Sequence, residues 1–237
     1  MIEKNIFQSW NKKVLHPLVQ EKIDLFKKIN SDYTYHLYDD DEMDDFVNEN
    51  FKGEIADCYN KINIIVAKVD FWRYLVLYKF GGVYLDMDSS IEKPLNDLIR
   101  DHDEAIITAE GNPGLYVQWA LIFSKQHPIL KKTIDLIVNN IKNNRYPNDI
   151  HKMTGPTVYT RAINEVHMNL FAGKIIDHKK INKNIDITYR LNNISYRLYS
   201  IDYNGYFCFE HKYKHLLYYG KKHWKQEEKD KQLLHLF

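Results

Sequence analysis

Residues 64–90 read IIVAKVDFWRYLVLYKFGGVYLDMDSS. From Ile64 to Phe80 the run is helix-length and apolar on nearly every face, and a helix apolar all round is a buried helix. Gly81-Gly82 stops it, because glycine accepts the left-handed conformation that ends helices. Val83-Tyr84-Leu85 then reads as a short buried strand running into Asp86-Met87-Asp88-Ser89-Ser90, and Pro94 marks the exit of that loop. Asp86 and Asp88 stand two apart, and in extended backbone such residues point the same way. Two carboxylates aimed at one spot repel each other unless a cation joins them. Oxygen ligands of this kind suit Mg2+ or Mn2+, ions that bridge protein carboxylates to diphosphate oxygens. Asp70 and Arg73 lie three apart on the helix and share a face. They read in two ways: as an internal ion pair that seats the helix, or as a pair directed into a polar pocket. The planar fork of Arg donors suits the second task, holding hydroxyls or phosphate.

Outward from this block the chain alternates β and α. Upstream, Asn5-Ile6-Phe7 reads as a first strand, Pro17–Ile29 as an amphipathic helix opened by Pro17, and Tyr33–Tyr38 as a second strand. The acids of Asp39–Asp45 suggest either a metal cluster or the N-terminal turn of a helix reaching Phe51, where the macrodipole favours them. Downstream, Ala105–Thr108 and Trp119–Phe123 read as strands, and Pro128–Ile141 and Pro156–Met168 as helices. Lys174–Ile187 is ambiguous, and Arg197–Ile201, Tyr206–Phe209 and Leu216–Tyr219 read as late strands. Strands alternating with helices predict an α/β fold with a mainly parallel central sheet covered on both faces. Ligands bind such sheets at the carboxyl ends of the strands. With no repeat, linker or composition break, residues 1–237 are expected to form a single domain.

Composition narrows the function. With 237 residues, 44% hydrophobic and 14% aromatic, the chain has a core-forming composition and is not a disordered one. Lys+Arg 33 against Asp+Glu 32 gives a net charge of +1, which argues against a dedicated nucleic-acid binder. No uncharged apolar run reaches about 18 residues, so no transmembrane segment is expected. The start of the chain lacks a signal-peptide core. The two cysteines, Cys58 and Cys208, have no metal spacing and form no framework. A cytoplasmic location is expected. The Lys-rich stretch from Lys212 to Lys231 reads as a solvated basic face or as a peripheral contact with a membrane.

The block Val69–Asp88 closely resembles the signature of the DXD sugar-binding glycosyltransferases of family 32, and the helix, Gly-Gly, strand and DXD spacing of the glucosyltransferase domain in large clostridial toxins. The resemblance is nearly complete over residues 64–94. Asn5–Trp10 and Tyr35–Asp40 resemble the family's first two strands, with Phe7 where His is common, and Thr154-Gly155-Pro156 matches a Gly-Pro it often carries. The resemblance implies a GT-A, Rossmann-like nucleotide-sugar-binding fold. It implies a metal-dependent glycosyltransferase that moves a sugar from a nucleotide-sugar donor to a glycan, lipid-linked or protein acceptor, with retention. A UDP-sugar is the first expectation for the donor and GDP-mannose the second, with Mn2+ (or Mg2+) as cofactor.

Carried over residue by residue, the resemblance makes Asp86, Asp88, Arg73 and Asp70 the catalytic set. Asp88 would be the direct metal ligand, with Asp86 and His223 in the metal shell; His223 stands where Ser is usual, and His215 is the other histidine near the family's position. Donor contacts are expected from Gln8, Trp10, Asp70, Arg73, Tyr78, Asp86, Lys222 and Trp224. Trp10 resembles the aromatic beside the nucleotide base, or is a core Trp. Tyr219–Trp224 resembles a loop that closes over the diphosphate. Glu110 is a loose candidate for an acceptor-side contact. Two other classes remain in view: a metal-dependent phosphohydrolase, and a non-catalytic module that binds nucleotide sugars or glycans.

Overall fold

The computed structural model describes residues 1–111, 114–171, 176–177, 181–192, 194–218 and 230–235. The strands are β1 (Asn5–Ser9), β2 (Thr34–Tyr38), β3 (Gly82–Leu85), β4 (Ser90–Ile91), β5 (Ala105–Thr108), β6 (Ala120–Phe123), β7 (Asp186–Leu191), β8 (Ile194–Tyr199) and β9 (Phe207–Cys208). The helices are α1 (Pro17–Ile29), α2 (Asp40–Asn50), α3 (Glu54–Lys61), α4 (Ile65–Phe80), α5 (Leu95–Leu98), α6 (Pro128–Lys142), α7 (Ile150–Met153), α8 (Pro156–Leu170) and α9 (Lys214–Leu217). Seven strands form one sheet in the order β2-β1-β3-β6-β5-β8-β7, and β4 pairs with β9 in a separate ribbon. Within the large sheet β6 and β7 run against the other five strands, so the sheet is mainly parallel, as expected.

Alternation along the central strands builds a core on each face. Phe7, Tyr84, Leu121 and Phe123 join one core, with Trp72, Leu75 and Val76 of α4. Their sequence neighbours Ile6, Val83, Leu85 and Ile122 join the other, against Val19, Ile23 and Phe26 of α1. Both faces are covered, which explains why β3 is buried at every residue. Helix α4 buries nine consecutive-turn positions including Phe71, Trp72, Leu75 and Leu77, each large apolar side chain contributing about 1.5–3 kcal/mol. Gly81 has φ 67° and Gly82 φ 119°. A Cβ on Gly81 would collide with the Glu3 carboxylate, and one on Gly82 would come within 2.5 Å of the Asn5 carbonyl oxygen. The pair therefore lets the chain leave α4 and turn directly against β1.

Local chemistry explains the helix starts. Asp39 caps α2 through a reciprocal capping box with Glu42, so the acids there begin a helix. His16 and His127 cap α1 and α6 through ring nitrogens, each followed by Pro in the first turn. Two readings of the C-terminal third change. Leu216–Tyr219 is not a strand: Lys214–Leu217 forms α9, and Tyr219 lies outside the described residues. The ambiguous stretch ends in an edge strand, β7, tied by Asp186 to Arg197 at 3.4 Å. Among the described residues no helix is long and apolar enough to cross a membrane.

Candidate active site

Asp86 follows β3 at the carboxyl end of the parallel strands. Its backbone is held on three counts: its N–H donates to the Trp119 carbonyl (2.7 Å), and its carbonyl accepts from the Ser89 N–H (2.9 Å) and from Gln8 Nε2 (3.0 Å). Arg73 reaches the same place from α4. Its Nη2 lies 3.0 Å from Asp70 Oδ1 and 3.1 Å from Asp86 Oδ1. Nη1 donates to the Gln118 carbonyl at 3.2 Å. The guanidinium sits 4.8 Å from the Tyr84 ring centroid, and the Tyr84 hydroxyl donates to Asp86 Oδ1 at 2.6 Å. Asp70 accepts further from Gln118 Nε2 (3.2 Å) and the Thr154 hydroxyl (3.2 Å). Arg73 and Asp70 are thus an ion pair and the wall of a pocket at once.

Two cavities meet at this wall. One, of about 470 Å³, is lined by Ser9, Trp10, Asn11, Asp40, Arg73, Tyr84, Asp86, Asp88 and Tyr218 among others. The other, of about 210 Å³, is lined by Asp70, Arg73, Asp86, Glu110, Gln118, Trp119, His151 and Phe209 among others. Asp88 is fixed by the C-terminal part of the chain. Its carbonyl accepts from the His211 N–H (2.7 Å), and its Oδ2 accepts from the Tyr218 hydroxyl (2.9 Å). Tyr218 in turn stands edge-on to Trp10, ring centroids 5.7 Å apart.

Burial and charge set the proton affinities. Burial alone would lower the Arg73 pKa, but Asp86, Tyr84 and Asp70 outweigh it and keep the guanidinium charged. Burial pushes the Asp70 carboxyl up to about 6, with Arg73 opposing. Burial and then the neighbouring Asp86 charge push Asp88 up to about 6 as well, and the Tyr218 hydroxyl pulls it partly back. An acid displaced upward in this way costs the folded chain stability as pH rises from about 4 to 6, because the unfolded carboxyl ionises first. A cation offsets that cost. Among the described residues no group of three or more His, Cys, Asp or Glu side chains gathers to hold one. Two carboxylates with oxygen donors do fit a hard divalent ion that keeps water and takes substrate oxygens for the rest of its shell.

A pH dependence follows. A cation held by Asp86 and Asp88 would bind about tenfold more weakly per pH unit below about 6, as a proton competes for Asp88. Tyr218→Phe removes the hydroxyl that favours the ionised form and should move this midpoint upward. Calorimetric titration of Mn2+ in the presence of UDP, from about pH 5 to 8, reads both effects; an unchanged midpoint in the variant would remove Tyr218 from the site.

Residues 16–105 match the family described as glycosyltransferase sugar-binding region containing DXD motif. The matched residues contain the DXD motif itself, Asp86-Met87-Asp88. Among its relatives is the initiation-specific α-1,6-mannosyltransferase of Candida albicans, 23% identical over 218 residues that make up 75% of this chain and 56% of that protein. An uncharacterized glycosyltransferase of Acanthamoeba polyphaga mimivirus is 39% identical over 72 residues, 30% of this chain and 29% of the relative. The inositol phosphoceramide mannosyltransferase 3 of Schizosaccharomyces pombe is 27% identical over 119 residues, 50% of this chain and 32% of the relative. The chain therefore spans little more than half, or less, of these relatives' lengths. A solved structure, the PaToxG glycosyltransferase, superposes with a TM-score of 0.59 at 23% identity over 72% of each chain, and the GT-A-type fold is shared with it.

The DXD carboxylates Asp86 and Asp88 stand with Arg73 and Trp10 at the larger cavity, and Asp70 stands at the smaller one. Gln8 is placed differently from the expectation. It is fully buried in β1, donating to the Asp86 carbonyl and accepting from the Tyr35 hydroxyl at 2.9 Å, so it supports the DXD backbone from behind. Tyr78 also departs from it: five residues past Arg73 on α4, it packs against the core and lines neither cavity. An aromatic of this block that does line the larger cavity is Tyr84. Its signal was present in the strand alternation that aims Tyr84 and Asp86 the same way. His215 is exposed and faces the Lys212 carbonyl at 3.1 Å. Lys222, His223 and Trp224 lie outside the described residues. Gln118 and Tyr218 were not singled out from sequence, and Thr154 only as part of Thr154-Gly155-Pro156, because nothing local marks a polar residue that will meet Asp70 or Asp88 across the fold.

Proposed function

We propose that this chain transfers a sugar from a nucleotide-sugar donor to an acceptor hydroxyl, with the nucleoside diphosphate in the larger cavity and the transferred sugar in the smaller. The observation that carries the reading is Arg73, held between Asp70 and Asp86 on the wall common to both cavities, with Asp88 two residues on. In this reading the half-buried Trp10 ring packs on the nucleotide base. Asp70 and Gln118 accept and donate hydrogen bonds at the sugar hydroxyls. Arg73 is preorganised by four partners, so it meets the charge developing between sugar and diphosphate without reorganising. Asp88 and Asp86 hold a divalent cation, Mn2+ first and Mg2+ second, which when bound neutralises the leaving diphosphate. Retention at the anomeric carbon and a closing contact from Lys222, His223 and Trp224 belong to the same proposal and rest on the family resemblance. A UDP-sugar is the preferred donor. GDP-mannose is the second reading, favoured by the mannosyltransferase names of the relatives in Candida albicans and Schizosaccharomyces pombe. A cytoplasmic site of action, with a peripheral membrane contact through the basic C-terminal stretch, completes the proposal.

The test is nucleotide release from UDP-glucose, UDP-N-acetylglucosamine, UDP-galactose and GDP-mannose, with Mn2+, Mg2+ or chelator. Slow release from one donor, lost with chelator, is the expected result. Failure of the protein to bind UDP or GDP under any of these conditions would overturn the reading. Hydrolysis of phosphate esters that carry no sugar would favour a phosphohydrolase.

A further inference from the structure

Phe209 is an apolar ring that stays 49% exposed while lining both cavities. Its inner face stacks on Trp119, ring centroids 5.0 Å apart and planes 30° from parallel. Trp119 itself is buried. A ring of this kind, backed by a second ring and open on its other face, is a flat apolar surface beside a polar pocket.

The chain invests in holding it there. Just before it, β9 pairs with β4, which leaves the DXD loop (Cys208 opposite Ser90, Phe207 opposite Ile91). Just after it, the His211 N–H donates to the Asp88 carbonyl. Phe209 is therefore clamped to the DXD loop from both sides. Upstream, Tyr203 is buried and its hydroxyl donates to the Ala120 carbonyl at 3.1 Å. The same stretch carries four non-glycine residues at positive φ: Asp202 (46°), Tyr203 (54°), Asn204 (51°) and Glu210 (53°). Left-handed backbone at such residues costs about 1–2 kcal/mol each, and persists where the surrounding structure over-determines it. Here the strained stretch presents one exposed aromatic at the mouth of the site.

The surroundings select the occupant. The smaller cavity, of about 210 Å³, is lined by Asp70, Arg73 and Gln118, the groups assigned above to the transferred sugar. A second ring would lie beside Phe209, in a cavity that the polar residues Glu110 and His151 also line. A pyranose uses both kinds of wall: its C–H face packs on the negative face of an aromatic ring, and its hydroxyls point sideways to polar groups.

We infer that Phe209, stacked on Trp119, is the platform of an acceptor subsite for a pyranose ring, so that the acceptor is a saccharide presenting a free hydroxyl to the donor sugar. The word acceptor rests on the transferase reading above; the platform itself does not. The test is saturation-transfer NMR with methyl α-D-mannopyranoside, methyl α-D-glucopyranoside and methyl β-D-galactopyranoside, on the full chain with and without UDP or GDP and Mn2+. Wild type should receive ring C–H contacts from at least one glycoside. Phe209→Ala should weaken that binding about tenfold and Phe209→Trp should retain it, with nucleotide affinity in Phe209→Ala falling by less than glycoside affinity. Binding of a glycoside equal to wild type in Phe209→Ala, or no glycoside binding in wild type, would overturn the platform. Glycoside binding through Phe209 in a chain that binds no nucleotide would keep the platform and sink the transferase reading.

Discussion

We expect Asp88→Asn to lower nucleotide-sugar turnover by about a thousandfold or more, since several kcal/mol of charge stabilisation depend on the cation that this carboxylate would hold. The substitution keeps the size of the side chain and an oxygen for the Tyr218 hydroxyl, which donates to Asp88 at 2.9 Å. The fold should therefore survive, and the cation-free protein should become more stable. Asp88 is buried beside Asp86, and burial with that like charge pushes its carboxyl up to about 6. Above that pH the wild-type chain carries a carboxylate that is harder to ionise in the folded state than in the unfolded one, at a cost of order 1–3 kcal/mol that Asn does not incur. Below about pH 4, where both folded and unfolded carboxyls are protonated, the difference should vanish. Thermal melts across this range with chelator, beside turnover with Mn2+, separate the two effects. An Asn variant that is inactive and also less stable at neutral pH would assign Asp88 a structural role.

The second large effect is expected at Arg73. Arg73→Met should destabilise the fold by about 3–5 kcal/mol, the cost of leaving a buried charge without its partner. Asp70 loses its ion pair at 3.0 Å, Asp86 loses one at 3.1 Å, and the Gln118 carbonyl loses its donor. Arg73→Lys should recover only a minor part, because one ammonium cannot reach two carboxylates and a carbonyl with the geometry of a planar fork. Urea unfolding measures both variants. Pairing Arg73→Met with Asp70→Asn should restore part of the loss, since the coupling energy between contacting charges is shared. If Arg73→Met unfolds within about 1 kcal/mol of wild type, the Asp70–Arg73–Asp86 cluster is held together by something other than charge.

The stretch from Ile64 to Asp88 was legible because its signals are local. An all-round apolar helix, a glycine pair and a strand with two following carboxylates each act within a few residues, so spacing alone states the geometry. The same holds for the caps: Asp39 and Glu42 lie three apart, and their box needs no other part of the chain. The amphipathic α1 and α6 and the inner strands β1, β3, β5 and β6 were visible for this reason, as was the α/β class they imply. By contrast α3 is short and polar, α9 covers only Lys214–Leu217, and β7 is an edge strand with mostly exposed residues. None has a periodicity long enough to outweigh tertiary context.

What the sequence by itself determined is the carboxylate pair, the Asp70–Arg73 couple and the sheet that carries them. Tertiary structure alone decided which other groups meet them. Gln118 approaches Asp70 across 48 residues, Thr154 across 84, and Tyr218 approaches Asp88 across 130. It also separated Gln8 and Tyr78, which turn away from the cavities, from Tyr84, which faces one, and it set Phe209 against Trp119. Local sequence encodes backbone conformation through short-range sterics and hydrogen bonds, but a site is made by side chains that loop closure brings together, and that pairing exists only once the sheet has formed.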